Sequence, residues 1–267
     1  MSRTTTIRNS YSQAVESALD RFGDHEGMNE ARVMRWMEQF PDDALPIAAK
    51  VLERVRYFTG LNLRAMTKTL FAMTVDELMS AGHRKVAFVA VGEAGSGSGV
   101  VVRVLRELIK GTPHKLLSML HVSQLKPGDI DAIVFVDDFS GTGRTLQQWW
   151  GNIESLVLPI SVSVFVGLLV LNEKARATIE EFAVVIAAEE LDSGADALAA
   201  TTKVFSPAEK TRLVQFCKKT GCGAQFERGF GQCGLLVAFK HGCPNNSLPI
   251  LWWTNDGWRG LFNRRAI

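Results

Sequence analysis

The sequence of 267 residues predicts an α/β protein, in which helices flank a parallel sheet and a helical domain precedes it. Apolar residues at helical spacing fill positions 10–80. From position 82 onward, short runs that are apolar on both faces alternate with helix-like segments. Two of these runs end in loops rich in glycine and hydroxyl side chains. We therefore predict a helical domain at 1–81 and an α/β domain at 82–267.

The composition excludes several classes of protein. A hydrophobic content of 46% and a charged content of 22% are typical of a folded chain and exclude intrinsic disorder. The 30 basic and 28 acidic residues nearly cancel, so no broad nucleic-acid surface is expected. There is neither a signal-peptide pattern nor an apolar run long enough to span a bilayer. We expect a cytoplasmic protein with no membrane partner.

The N-terminal part predicts three or four short helices, punctuated by Gly23, Pro41 and Gly60. Trp36 and Phe40 fall on the apolar face of one of them and are expected in its core.

The part after residue 82 predicts strands at 85–91, 130–136, 161–171 and 182–188, and helices follow the first three. Ser206, with proline next and glutamate three residues on, predicts a capped helix that ends near Thr220. A last apolar run, 234–240, leads into a tail rich in proline and tryptophan.

The segment from Val134 to Thr145 gives the clearest indication of a binding site in the sequence. A hydrophobic strand delivers Asp137 and Asp138, and a loop of small and hydroxyl residues then opens a helix: Ser140, Gly141, Thr142, Gly143 and Thr145. Backbone N–H groups, hydroxyls and a helix N-terminus together form an anion cradle. The carboxylates can accept hydrogen bonds from the hydroxyls of a sugar. The anion cradle and the two carboxylates together therefore indicate a sugar phosphate as ligand, bound with Mg²⁺. A plain strand–turn–helix, with no ligand, is the alternative.

This segment resembles the phosphoribosyl pyrophosphate (PRPP) motif of type I phosphoribosyltransferases. The resemblance implies a Rossmann-like type I fold and Mg²⁺ as cofactor. It also implies that Asp137 and Asp138 hold the ribose hydroxyls and favour positive charge on the ribose. Further implied contacts are with the 5′-phosphate for Ser140, Gly141, Thr142, Gly143 and Thr145, and with the base or its phosphate for Arg144.

A second glycine-rich loop, 92–99, also follows a strand. It lacks the lysine of a Walker loop and the third glycine of a dinucleotide fingerprint. The resemblance implies that it grips pyrophosphate through the backbone of Glu93, Ala94, Gly95, Ser96 and Gly97. A merely flexible loop is the alternative.

The tail, 241–265, contains Trp252, Trp253 and Trp258, whose rings could stack on a base or could simply cover the core. Together with the Trp36–Phe40 patch, it resembles a bacterial phosphoribosyltransferase-like group found near phage-conflict genes, in which the tail, Trp252 included, forms a hood over the base. Cys217, Cys222, Cys233 and Cys243 include no Cys-x-x-Cys pair, which favours free thiols over a zinc site.

The resulting hypothesis is a protein that binds PRPP or a related ribose phosphate and transfers phosphoribosyl to a nucleobase-like acceptor. Purine-type members of the family carry an acid at the position of Gly141, and no general base can be named here. Two alternatives therefore stay open: a PRPP or nucleotide sensor without catalysis, and an effector subunit of an anti-phage defence system. A homodimer or defence-system proteins are the expected partners.

Overall fold

The structure is a computed structural model and describes residues 3–92 and 97–264. The described chain forms two compact units. Unit 1 combines residues 3–60 with residues 193–264, and unit 2 is Leu61–Asp192.

Unit 2 is built on a five-stranded sheet. Its strands are β2 (Val86–Ala90), β3 (Lys115–Leu117), β4 (Ala132–Ser140), β5 (Ser163–Asn172) and β6 (Val184–Leu191). Every neighbouring pair is parallel, and the order across the sheet is β3-β2-β4-β5-β6. The predicted α/β class with a parallel sheet is therefore confirmed. Edge strand β3 was not predicted, because three residues are too few to show a periodic pattern.

Helices cover both faces of this sheet. Those of unit 2 are α4 (Gly60–Ser80), α5 (Ser98–Leu108), α6 (Met119–Val122), α7 (Arg144–Val157) and α8 (Glu173–Glu180). On one face, Leu146, Ile153 and Ile179 of α7 and α8 join a core with alternate residues of β2, β4, β5 and β6. On the other face, α4 contributes Phe71, whose ring lies 5.7 Å from that of Phe88 in β2.

Unit 1 brings the two ends of the chain together. Its elements are α1 (Arg3–Phe22), α2 (Glu30–Met37), α3 (Leu45–Arg54), β1 (Arg56–Phe58), α9 (Pro207–Lys219) and β7 (Val237–Phe239). The strand predicted near 234–240 exists, but it pairs in parallel with β1 rather than with the large sheet. The predicted capping box of α9 is confirmed, since Ser206 and Glu209 exchange backbone and side-chain hydrogen bonds.

The core of unit 1 is aromatic. Trp36 and Phe40 are buried as predicted, and the indole N–H of Trp36 donates to the carbonyl of Ile250 at 2.7 Å. Side chains of the α2 region also hold the tail: the Arg32 guanidinium donates to the Leu261 carbonyl at 2.7 Å, and the Gln39 amide bonds both backbone groups of Arg259.

The limits of the two units differ from the expected boundary between residues 81 and 82. Helix α4 lies before that boundary but belongs with the sheet, because its buried side includes Leu63, Leu70 and Leu78. The chain after residue 192 packs with the N-terminal helices because both segments carry large apolar side chains that need a common core. Of the four helices up to Ser80, α1 and α4 have 20 and 21 residues and are longer than expected.

Candidate functional site

The two predicted ligand loops leave the sheet from neighbouring strands. Strands β2 and β4 lie side by side in parallel, with Ala90 opposite Val136 near their carboxyl ends. The chain goes from β2 to β3 on one side and from β4 to β5 on the other, so the winding direction reverses between β2 and β4. In open α/β sheets such a reversal leaves a crevice at the carboxyl edge, which is where ligands bind.

The two acids lie inside β4 and not after it, because this strand continues to Ser140. Consecutive strand residues point to opposite faces of a sheet, so Asp137 and Asp138 start from opposite sides. Asp137 is half-buried, and its Oδ1 accepts the backbone N–H of Asp138 at 2.9 Å. Asp138 is completely buried. Their predicted contacts with ribose hydroxyls stay predictions.

The loop after β4 is compact and opens directly into α7. Ser140, Gly141 and Gly143 are buried, Thr142 is half-buried, and Arg144 and Thr145 are exposed on the first turn of the helix. A helix N-terminus carries backbone N–H groups without helical partners and a partial positive charge. The structure thus brings all the residues predicted for the 5′-phosphate together at one end of a 14-residue helix.

Gly143 is required at the start of α7 for two reasons. Its φ is +76°, in the left-handed region that favours glycine. A Cβ at this position would also lie 2.7 Å from the Cβ of Thr178 in α8, too close for any real contact. Helix α8 therefore packs directly against the backbone of the loop and fixes its path.

Asn172 also holds this loop, although the sequence did not single it out. It ends β5, is 3% exposed, and its Nδ2 donates to the Gly141 carbonyl at 2.9 Å. An asparagine at the carboxyl end of a buried strand is a signal in the sequence that could have pointed to Asn172. That signal is informative only once the strand order shows that β5 lies next to β4. Asn172 is a positioning residue for the loop.

The second loop lies mostly outside the described residues, since Glu93, Ala94, Gly95 and Ser96 are not among them. Both of its ends are fixed. The backbone N–H of Val91 donates to the Val136 carbonyl at 3.0 Å, and the Ser98 hydroxyl donates to the Val91 carbonyl at 2.7 Å. Gly97 is buried and precedes the first residue of α5. This loop therefore starts beside β4, at the same edge as the other loop.

The carboxylates at the carboxyl edge of β2 and β4 can be compared with the ligands that Mg²⁺ prefers. Among residues 3–92 and 97–264, no group of three or more histidine, cysteine, aspartate or glutamate side chains could hold a metal ion. Asp137 and Asp138 are two carboxylates on opposite faces of one strand. Mg²⁺ commonly takes one or two carboxylates and completes its shell with water and substrate phosphates. Asp137, which is half-buried while Asp138 is completely buried, is the carboxylate here that fits such a shell around an ion bound to a phosphorylated ligand.

Trp252 lies in unit 1 and is 2% exposed. Its indole N–H donates to the Ser247 carbonyl at 2.9 Å. Phe226 and Trp253 pack against its ring, and the Arg264 guanidinium lies 5.3 Å from the ring centre. A base could stack on Trp252 only after displacing these neighbours, so the visible role of this residue is packing. Its predicted contact with a base stays a prediction.

The four cysteines are free and buried in unit 1. Burial raises the pKa of the Cys217 and Cys243 thiols far above its usual range, so both stay protonated and unreactive near neutral pH.

A surface groove of about 720 Å³ lies elsewhere on unit 2. Val162, Val164, Val184 and Val185 line it near the amino ends of β5 and β6. The groove is at the opposite edge of the sheet from the two loops. None of the described residues predicted to bind a ligand lines this groove.

A parallel sheet that helices cover on both faces, with its winding reversed between β2 and β4, places this protein in the α/β class. A family model described as PRTase-CE matches residues 33–264, which is well over half of the chain. The chain belongs to this phosphoribosyltransferase-like family. The match begins inside α2 and spans parts of both compact units. A comparison with curated proteins finds no match.

Solved structures of phosphoribosyltransferases are similar to part of this chain. Hypoxanthine-guanine phosphoribosyltransferase from Schistosoma mansoni, solved with IMP, is 16% identical with a TM-score of 0.35, over 51% of this chain and 65% of that chain. Orotate phosphoribosyltransferase from Aeropyrum pernix is 18% identical with a TM-score of 0.31, over 47% and 69% of the two chains. This chain thus spans less than two thirds of the Schistosoma enzyme. Among the described residues, no helix is both long and apolar enough to cross a membrane.

Proposed function

We propose that this protein binds PRPP or a related ribose phosphate at the carboxyl edge of β2 and β4. The observation that carries the proposal is the segment Val134–Thr145, which folds as strand, loop and helix at the reversal point of the sheet. The 5′-phosphate would lie on the loop that Asn172 and Gly143 hold in place. Asp137 and Asp138 would take the ribose hydroxyls, and the loop ending at Gly97 would take the pyrophosphate.

The proposed reaction is displacement of pyrophosphate from the ribose C1 by a nucleobase-like acceptor. The ribose gains positive charge in the transition state, and the carboxylates of β4 favour that charge. The backbone amides of the two loops hold both phosphate groups and so orient C1 toward the acceptor. Asp137, the half-buried one of the two acids, would offer a carboxylate to Mg²⁺, and the bound ion would supply charge neutralisation for the departing pyrophosphate.

A sensor that binds PRPP or a nucleotide without transfer is the second candidate, and Gly141 favours it. This residue is buried and has no side chain, and its carbonyl accepts the hydrogen bond of Asn172. It therefore supplies no acid at the position where purine-type enzymes carry one.

An effector role in an anti-phage defence system rests on the resemblance of the tail, and the neighbouring genes would test it.

Calorimetry with PRPP and Mg²⁺ tests the proposed site. We expect wild type to bind, and we expect Asp137→Asn with Asp138→Asn to weaken binding at least about tenfold, since two charge-assisted contacts are lost. Asp131→Asn is the matched control: it removes a carboxylate beside the other end of β4, where Asp131 accepts the N–H groups of Arg84 and Lys85. A wild type that does not bind PRPP would overturn both candidates.

Release of pyrophosphate separates the two candidates. Transfer predicts release that depends on an added acceptor from a panel of bases, whereas a sensor binds PRPP and leaves it intact.

The protein's four buried free cysteines fit a reducing compartment, and we infer a cytoplasmic location from them.

A further inference from the structure

Helix α4 buries one side against the sheet and leaves the other side exposed. Leu63, Thr67, Leu70, Thr74 and Leu78 form the buried side. On the opposite side, six residues follow one another at helical spacing along the outermost stripe: Leu61, Ala65, Lys68, Ala72, Asp76 and Met79. We call these six residues the outer stripe of α4.

The outer stripe carries an exposed apolar side chain near each end, with two charged and two alanine residues between them. Leu61 is 82% exposed and Met79 is 45% exposed, and Met73 on the flank of the stripe is 43% exposed. A surface helix of a monomer typically carries polar and charged side chains on this side. Leu61 and Met79 lie about 27 Å apart along the helix axis, so they flank the two charged residues of the stripe and do not form one continuous apolar patch.

The charges of the outer stripe are arranged symmetrically. Lys68 and Asp76 stand four residues before and four residues after Ala72, or about 6 Å to either side along the helix axis. Neither side chain forms an ion pair within residues 3–92 and 97–264. A stripe that carries opposite charges at equal distances from a small central residue is complementary to itself when it is turned around.

We propose that the outer stripe of α4 is the contact through which two copies of this chain form a two-fold dimer. The two α4 helices lie antiparallel, with the symmetry axis at Ala72. Lys68 then lies opposite the partner's Asp76, and Asp76 lies opposite the partner's Lys68. Ala65 lies opposite the partner's Met79, so that a small residue accommodates a large one, and Leu61 extends the apolar contact by one turn.

A second copy explains this pattern better than an unrelated partner does. In a two-fold interface the same patch serves both chains, so each charge must find its complement on an identical surface. The outer stripe meets that condition with both of its charged residues, and the small side chain of Ala72 lets the two helices approach at the axis.

Sedimentation equilibrium of the full chain and of two charge-reversal variants tests the proposal. We expect wild type to be a dimer. Lys68→Asp and Asp76→Lys each place like charges opposite one another at two symmetric points, so each variant alone should raise the dimer dissociation constant by about 100-fold or more. An equal mixture of the two variants should restore a heterodimer, because each new aspartate then faces a new lysine.

Thermal unfolding and a control variant, Glu77→Lys, distinguish a folding defect from the loss of the interface. All three substituted positions, including the control Glu77→Lys, are exposed on α4, so the thermal unfolding midpoint should stay close to that of wild type. Glu77→Lys makes the same charge change as Asp76→Lys, but Glu77 lies off the stripe, about 100° further around the helix, so this variant should leave the dimer intact. A monomeric wild type at about 100 μM, unchanged dimerisation of either reversal variant, or a mixture that stays monomeric would overturn the proposal.

Discussion

Unit 1 and unit 2 use their polar groups and their aromatic rings in different ways. In unit 1, the indole N–H groups of Trp36, Trp252 and Trp258 all donate to backbone carbonyls, and two of them share the carbonyl of Ile250. In unit 2, the polar residues of the β4–α7 loop stand at the open edge of a sheet, while Trp150 stacks on Phe182 away from that edge. The number of tryptophans is thus a poor guide to the site, and position at a strand end is a better one.

From this difference we expect the packing of unit 1 to contribute mainly to stability and the loops of unit 2 to contribute mainly to the proposed ligand binding. Three experiments can break or sharpen this division, and they follow in order of decreasing expected effect.

Trp36→Ala should have the largest effect on stability. It removes a side chain that is 1% exposed and leaves the Ile250 carbonyl with one hydrogen bond fewer, so the free energy of unfolding should fall by about 3–5 kcal/mol. Hydrogen exchange should show the loss of protection in α2 and in the 248–262 segment.

Trp36→Phe is the milder companion variant, because it keeps an aromatic ring beside Phe40 and loses the hydrogen bond, at a cost of about 1–2 kcal/mol. Affinity for PRPP should be unchanged in the folded fraction of both variants. A parallel loss of PRPP affinity in Trp36→Phe would contradict the division between the units.

Gly143→Ala should have an intermediate effect on stability and a strong effect on binding. The new Cβ meets Thr178 and the residue keeps a positive φ, so unfolding should become easier by about 1–3 kcal/mol and PRPP binding should be lost. Urea unfolding and calorimetry measure the two effects.

Gly151→Ala is the matched control in the same helix. A Cβ at Gly151 meets nothing within 4 Å, and alanine favours the helix, so stability should rise by about 0.5–1 kcal/mol with binding unchanged. If Gly143→Ala bound PRPP as wild type does, the loop would not be the phosphate site.

His25 should give the smallest effect, as a pH dependence of unit 1. Its Nε2 accepts the backbone N–H of Asn263 at 3.1 Å, and burial followed by the nearby Arg32 charge lowers its pKa below 6.5, with Asp24 opposing. The unfolded chain therefore binds a proton that the folded chain resists. The contribution of neutral His25 to the free energy of unfolding should be fully present above about pH 6.5 and should be lost as the pH drops below that value.

His25→Gln should flatten this dependence when urea unfolding is compared at about pH 5.5 and about pH 7.5. Burial lowers the pKa of His114 in unit 2 as well, so a part of the dependence should remain. An unchanged slope in His25→Gln would show that this histidine is not the titrating group of unit 1.

Much of the fold was predictable because its signals are local. The strands β2 and β5 and the first part of β4 are apolar on both faces, which is typical of buried parallel strands, and β6 begins with the same pattern. Ser206 and Glu209 cap α9 through neighbours in the sequence. The turn between β4 and α7 was also predictable, because glycine and hydroxyl residues favour turns and helix starts; its predicted role in phosphate binding stays a prediction.

Other features could not be predicted from local signals. The strand order places the reversal between β2 and β4, and only that order makes Asn172 a neighbour of Gly141. The continuation of β4 to Ser140, which places Asp137 and Asp138 on opposite faces of the sheet, was also not evident from the sequence.

The sequence by itself determined the α/β class, the main strands and the turn between β4 and α7, because periodicity, capping and turn chemistry act over a few residues. The tertiary structure alone decided that α4 joins the sheet, that the two chain ends share one aromatic core, and that Trp252 is buried within it. Those outcomes depend on which apolar surfaces meet across more than 100 residues of chain, and burial of apolar area is not directional. No local pattern records that choice.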